Sequence, residues 1–277
     1  LTLYHWDLPL ALFREGGWLN REIADHFAEY ARILAEKLGD RITHWMTFNE
    51  PQGFINSGLH TGIHAPGVKY ADKEVLLACH NVLRAHGKAV RVLRETISRK
   101  IEIGAVTTGP MTLPLTDSPE DIEAARNALF EVRGFWNVAH FMDAMYLGRY
   151  PESSYALWGN DMPEEDGDWT DIHQKLDFFG LNFYSGTFCR AGENGKAELL
   201  PFPPGSAQSS CGFPVRPEAL YWTLKFMQER YRRTLTGSCW TAGYTIRKES
   251  TIFSVISSKW KRQLRKESTC AVISTGR

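Results

Sequence analysis

The chain has 277 residues, with 32 Lys and Arg against 32 Asp and Glu and 43% hydrophobic residues, which suits one large α/β domain or two small ones. No apolar run is long enough to span a membrane, no basic-then-apolar leader opens the chain, and the neutral total excludes a chain-wide basic nucleic-acid surface. Five scattered cysteines (Cys79, Cys189, Cys211, Cys239, Cys270) lack paired metal spacing and read as thiols in a reducing, cytoplasmic setting.

The first predicted element is a short strand in Leu1-Thr2-Leu3-Tyr4-His5-Trp6-Asp7-Leu8-Pro9, an apolar run ending in polar and aromatic groups able to grip a sugar. Asn20 can cap a helix whose apolar positions Ile23, Phe27, Tyr30, Ala31, Leu34 and Leu38 follow helical spacing until Gly39-Asp40. The run Ile42–Phe48 predicts a second strand, closing in Asn49-Glu50-Pro51. A carboxyl delivered at a strand's C-terminal end and stiffened by Pro suits a general acid in a barrel; a surface Asn-Glu-Pro turn is the bland alternative.

A Gly/His/Pro loop over 58–67 leads to a long helix from about Asp72 to Glu95, then a strand over Lys100–Thr107. Ser118-Pro119-Glu120-Asp121 combines a capping side chain, Pro at the first helical position and an acid three residues on; the helices it opens reach about Leu147. Phe178–Tyr184 reads as a further strand, followed by Ser185-Gly186, a Gly/Pro loop and a helix from about Pro217 to Tyr231. Strands alternating with helices predict parallel βαβ units.

Charge divides the chain. Residues 1–233 carry 24 Lys and Arg against 30 Asp and Glu, a net of −6, whereas 234–277 carry 8 against 2, a net of +6, with no proline and 14 Ser or Thr. The expected boundary is therefore 233/234.

The segments Thr47-Phe48-Asn49-Glu50-Pro51, His5-Trp6-Asp7-Leu8-Pro9 and Phe179-Gly180-Leu181-Asn182-Phe183-Tyr184 resemble glycoside hydrolase family 1, the β-glucosidase family of retaining glycosidases. Gly16-Gly17-Trp18-Leu19-Asn20, His64-Ala65-Pro66-Gly67, Ala85-His86-Gly87, Asp117–Asp121 and Gly148-Arg149-Tyr150-Pro151-Glu152 carry the resemblance in family order, to about Arg232. It implies an α/β fold, a partial (β/α)₈ TIM barrel whose four strands are about the third to sixth of eight, the first two lying before Leu1. It also implies a small-molecule β-glycoside substrate: β-D-glucosides, or related fucosides, galactosides or 6-phospho-glycosides, among which the sequence does not choose.

By the same resemblance Glu50 matches the acid/base. Asn49 matches the residue that bonds the sugar 2-hydroxyl, and His5 a ligand to a glycone hydroxyl, although a lone His is more often structural. Trp6 shapes the wall. Tyr184 matches the Tyr that approaches the nucleophile carboxylate, and Asn182 belongs to its network. Trp45 and Phe48 read as packing, and His44 is undetermined. Leu10 stands where the family usually has Gln. No metal-ligand cluster, phosphate loop or nucleic-acid patch is evident, so no cofactor is expected.

Retaining glycosidases need two carboxyls about 5–5.5 Å apart. The family's second, the nucleophile, lies in Thr-Glu-Asn-Gly on the seventh strand; here the chain reads Arg232-Arg233-Thr234-Leu235-Thr236-Gly237, and that motif occurs nowhere later. If each codon from Gly237 on takes the last base of one residue and the first two of the next, permitted codons yield V-L-L-D-G-R-V-H-D-P-Q-R-I-D-Y-L and, at the end, G-V-D-L-R-G-Y-F-Y-W-S. Both are the family's own text after the nucleophile. Residues 234–277 are thus expected to be an out-of-frame, non-native tail; a genuine basic Ser/Thr-rich tail is the alternative. The nucleophile is then missing and the chain as written is expected to be inactive. A sugar-binding pseudoenzyme and a translation product without function are the rival readings.

Overall fold

The computed structural model of the protein describes residues 1–232 and 234, with the backbone at 243–244 and 272–274. In chain order the strands are β1 (Thr2–Tyr4), β2 (His44–Asn49), β3 (Glu102–Thr107), β4 (Thr112–Pro114), β5 (Phe178–Asn182), β6 (Thr187–Ala191), β7 (Ala197–Leu199), β8 (Gly243–Tyr244) and β9 (Val272–Ser274). The α-helices are α1 (Leu10–Arg14), α2 (Ile23–Leu38), α3 (Pro51–Phe54), α4 (Asp72–Thr96), α5 (Pro119–Phe130), α6 (Ala139–Leu147), α7 (Glu152–Trp158), α8 (Asp168–Ile172) and α9 (Glu218–Tyr231).

The main sheet is parallel, in the order β1-β2-β3-β5-β9-β8. Its first four strands are those expected from the sequence and neighbour one another in chain order, as barrel strands do. Register pairs Tyr4 with Phe48, Met46 with Gly104 and Val106 with Gly180, which aligns the C-terminal ends of β1, β2, β3 and β5. Beyond β5 the order changes. β9 lies between β5 and β8, so the later strand precedes the earlier one. Apart from Thr234, β8 and β9, the segment 234–277 that was expected to be a non-native tail lies outside the described residues.

A second sheet, β4-β6-β7, was not expected from the sequence. Its strands run three to five residues, too few for alternation to register. Asp121 ties it to α5: Asp121 Oδ1 accepts from the Ala191 backbone N–H (2.9 Å) and Oδ2 from the Thr116 hydroxyl (2.7 Å). Ser118 caps α5 as its sequence predicts, accepting from the Asp121 N–H at 3.2 Å.

Two local expectations are corrected. Asn20 does not cap α2; its Oδ1 accepts from the Glu22 N–H (3.0 Å), closing a turn before the helix starts at Ile23. Tyr30, counted among the apolar positions of α2, is exposed, because the buried stripe runs through Ile23, Ala24, Phe27, Ala31 and Ala35.

The core beneath the site is aromatic. Phe27 stacks on Phe48 at 4.6 Å, while Tyr4 meets Phe54 edge-on at 5.0 Å and Trp18 at 5.3 Å. Trp45 and Phe48 are fully buried, as their packing role requires. On the outer side α4 packs against α8 around the buried Asp168, which accepts from His80 Nε2 at 2.8 Å and pairs with Arg84 Nε at 3.0 Å and with Arg21. Burial alone would raise this carboxyl; the hydrogen bonds from Arg21 and His80 outweigh it and hold Asp168 below the usual carboxylate range.

Candidate active site

The site forms where β2 runs into α3. The β2–β3 register shifts between Met46 and Asn49, bringing Asn49 opposite Val106. The Glu50 N–H then donates to the Val106 carbonyl at 2.9 Å, and Glu50 takes a left-handed backbone, φ 46°. A non-glycine residue holds that conformation at a cost of about 1–3 kcal/mol. Here Pro51 starts α3 directly after it, and the Gly53 N–H donates back to the Glu50 carbonyl at 2.8 Å. Sharp reversal at a strand's C-terminal end leaves the carboxyl buried, 5% exposed.

Two donors from β5 and the residues just past it hold that carboxyl. Asn182 Nδ2 donates to Glu50 Oε1 at 2.6 Å and to Asn49 Oδ1 at 2.8 Å. The Tyr184 hydroxyl donates to the same Oε1 at 3.2 Å. Burial, the Glu50 charge and that hydrogen bond push the Tyr184 phenol up to about 12. Asn49 Nδ2 faces His5 Nε2 at 3.3 Å, and Trp6 Nε1 donates to the Asn49 carbonyl at 2.9 Å. Trp6 is the other non-glycine residue in the left-handed region among the described residues, φ 83°.

All five residues singled out in the sequence therefore meet in one row: His5, Asn49, Asn182, Glu50, Tyr184. Asn182 and Tyr184, matched in the sequence to a network around the nucleophile, here both donate to Glu50. His44 sits at the opposite, N-terminal end of β2, its Nε2 3.1 Å from half-buried Glu102, and takes no part in the row.

Sequence reasoning missed the residues that support the row. Gln52 Nε2 donates to Thr107 Oγ1 at 2.7 Å and to the Thr108 carbonyl, and Thr108 Oγ1 donates to the Asn182 carbonyl at 3.0 Å. The signal lay in a buried amide directly after Glu50-Pro51 and in two threonines closing a strand. The sequence's one Glu-Asn-Gly triplet, at residues 193–195, follows Gly192 rather than Thr, forms the turn between β6 and β7 and leaves Glu193 exposed.

Among the described residues, two cavities lie away from Glu50. One, of about 340 Å³, lies behind Trp6 among Phe13, Trp18, Phe54 and Tyr70. A larger one, of about 1050 Å³, opens in the helical layer between α5 and α9, and the paired Arg126–Glu229 and Arg230–Asp143 lie in its wall. The hydrogen-bonded carboxyl at the strand ends outweighs cavity size in locating the site. Among the described residues no cluster of His, Cys, Asp or Glu could hold a metal ion.

A buried carboxyl at the C-terminal mouth of parallel strands, beside amide, phenol and imidazole groups, lies where α/β-barrel enzymes carry their catalytic residues. The model of glycosyl hydrolase family 1 matches residues 1–241. This chain belongs to that family.

The 1,4-beta-D-glucan glucohydrolase of Thermotoga neapolitana is 39% identical over 235 residues, 83% of this chain and 53% of that protein. Beta-glucosidase A of Thermotoga maritima is 40% identical over 233 residues, 83% of this chain and 51% of that protein. The beta-glucosidase from Thermotoga maritima in complex with deoxynojirimycin superposes with a TM-score of 0.76 at 33% identity, covering 98% of this chain and 63% of that one. The chain spans about half the length of the curated relatives it matches.

Proposed function

We propose that this chain is a β-glucosidase-type sequence in which Glu50 is the proton donor of a retaining hydrolysis and the attacking carboxylate is missing. In this reading Glu50 protonates the glycosidic oxygen as the leaving group departs, and then as a base activates the incoming water. Asn49 bonds the sugar 2-hydroxyl, His5 an outer glycone hydroxyl, and Asn182 and Tyr184 hold the carboxyl. The observation that carries the reading is Glu50 itself, buried at the end of β2 with two hydrogen bonds converging on one oxygen. The names of the relatives favour β-D-glucosides over other β-glycosides.

The reading that the carboxylate is missing rests on the stretch Arg232–Gly237, where the family's Thr-Glu-Asn-Gly would fall and the sequence has none, and on reading 234–277 as a frameshifted tail. The reversed order of β8 and β9 supports that reading, because a barrel's seventh and eighth strands would continue in chain order. Without the nucleophile no glycosyl-enzyme intermediate forms, which costs several orders of magnitude in rate. Free thiols at Cys79, Cys189 and Cys211 fit a cytoplasmic setting, and no helix among the described residues is long and apolar enough to cross a membrane.

The test is turnover of an activated aryl β-D-glucoside by the purified chain beside its Glu50→Ala variant. Equal, background rates are expected; turnover above the variant refutes inactivity. The preassembled row also favours a second reading, a sugar-binding pseudoenzyme. Calorimetry with glucose or cellobiose decides it, and no detectable heat removes it.

A further inference from the structure

We infer that Asn49 and Asn182 form an amide relay that ties the hydrogen-bond polarity of His5 to the proton on Glu50. This inference deepens, and rests on, the reading of Glu50 as the proton donor.

Donor sense is fixed along the row. Asn182 Nδ2 uses both hydrogens, one on Glu50 Oε1 and one on Asn49 Oδ1. Asn49 must then turn its own Nδ2 toward His5, whose Nε2 at 3.3 Å can only accept. That describes a neutral imidazole with its hydrogen on Nδ1. In this arrangement both ends of the row are acceptors: an imidazole lone pair at one end and a carboxylate oxygen at the other.

A proton placed on Glu50 Oε1 toward Asn182 reverses the row. The Asn182 amide must turn over so that Oδ1 receives the proton. Asn49 Oδ1 would then face another oxygen, so Asn49 turns as well, offering Nδ2 to Asn182 and Oδ1 to His5. His5 must now carry a hydrogen on Nε2. Asn182 Oδ1 is buried and has no partner among the described residues, so turning the amide exchanges one unpartnered group for another rather than creating a new one. Both backbones are pinned, Asn49 by Trp6 Nε1 and Asn182 by Thr108 Oγ1, which confines the response to the amide ends.

The titratable groups facing the row are Glu50 and Tyr184 on the β2 and β5 side, His5 with exposed Asp7 beyond β1, and exposed His64, whose ring lies 5.7 Å from that of Trp6. Coulomb attraction alone makes a proton on His5 oppose a proton on Glu50. The relay makes each favour the other, so the sign of the coupling separates the two. The consequence for the site is that neutral His5, its Nε2 engaged with Asn49, offers a sugar hydroxyl an Nδ1–H donor while Glu50 is ionised and an Nδ1 acceptor once Glu50 holds the proton to be delivered.

The test is an NMR titration of the full chain that follows the His5 ring nitrogens and the Glu50 carboxyl carbon. One linked step is expected, in which His5 Nε2 gains its hydrogen as Glu50 is protonated. Asn182→Ala should split it into two separate steps, and Asn49→Ala should do the same should the first variant not fold. Independent steps in the unaltered chain, or a linked step that survives in either variant, would overturn the relay. Neither readout needs sugar or turnover, so this test and the glycosidase assay fail separately.

Discussion

Trp6 bridges β1 and the carboxyl-bearing turn, and Gly53→Ala probes how it is held. The indole has its left-handed backbone, φ 83°, fixed by the bond from Nε1 to the Asn49 carbonyl at 2.9 Å and by its ring edge lying over Gly53. A Cβ at residue 53 would sit 2.7 Å from Trp6 Cζ2 and 3.3 Å from Cη2, while remaining 3.5 Å from Glu50 Cβ. The first distance is well inside the ~3.5–4.0 Å of carbon–carbon contact. A rigid ring tethered at one end cannot yield without giving up that tether. Overpacking of this kind costs about 1–3 kcal/mol and the lost hydrogen bond about 0.5–1.5 kcal/mol, against a gain of up to about 1 kcal/mol from replacing a helical glycine. The expected net loss is about 0.5–4.5 kcal/mol. Urea denaturation measures it, and the Trp6 indole N–H resonance reports the broken bond. A loss below about 0.5 kcal/mol with that resonance unmoved would refute the claim that Trp6 is pinned between Asn49 and Gly53.

Three further outcomes are expected. Gly87 in α4 faces α8 so closely that a Cβ would lie 1.7 Å from the Asp171 carbonyl oxygen; Gly87→Ala should cost about 4 kcal/mol or more, and a variant that melts with the parent chain contradicts the packing. His86 and His140 are pushed by burial from an ordinary 6.5 down to about 3, so the unfolded chain takes up protons that the folded chain refuses. Stability should therefore fall as pH drops from about 6.5 toward 3, and a urea midpoint that stays flat across that range argues against it. The Tyr184 phenol should ionise near 12 by ultraviolet titration, and the midpoint should move down, without reaching the ordinary tyrosine value, in Glu50→Gln, because burial remains when the charge is gone. An unshifted midpoint would mean that Glu50 is not its neighbour.

Much of the fold was legible because its elements are long or sharply punctuated. Gly39 ends α2, Pro119 and Ser118 open α5, and the apolar runs of β2 and β5 stop at polar residues. The β4-β6-β7 sheet was not legible, since strands of three to five residues carry too little alternation. Asn20 and Tyr30 misled for a related reason: an Asx turn and a helix cap use the same residue type, and an aromatic ring at a helix flank can face solvent.

Within the site, Glu50, Asn49, His5, Asn182 and Tyr184 were named by the family resemblance, and each lies at or just past the end of a strand. Which of them touch could not be read from spacing. Asn182 reaches Glu50 across 132 positions of sequence, through the alignment of β2 with β5 across β3. Gln52, Thr107 and Thr108 were invisible for the same reason, their role being defined only by where the neighbouring strands end.

The most direct measurement is the coding DNA across codons 228–277. The expected result is a break near codon 234 with third bases that spell, one register over, the D-G-R-V-H-D-P and G-Y-F-Y-W-S text of the family. Codons whose third bases interrupt that text would mean that the tail is encoded faithfully, and Glu50 would not then have lost its counterpart to a slip in frame.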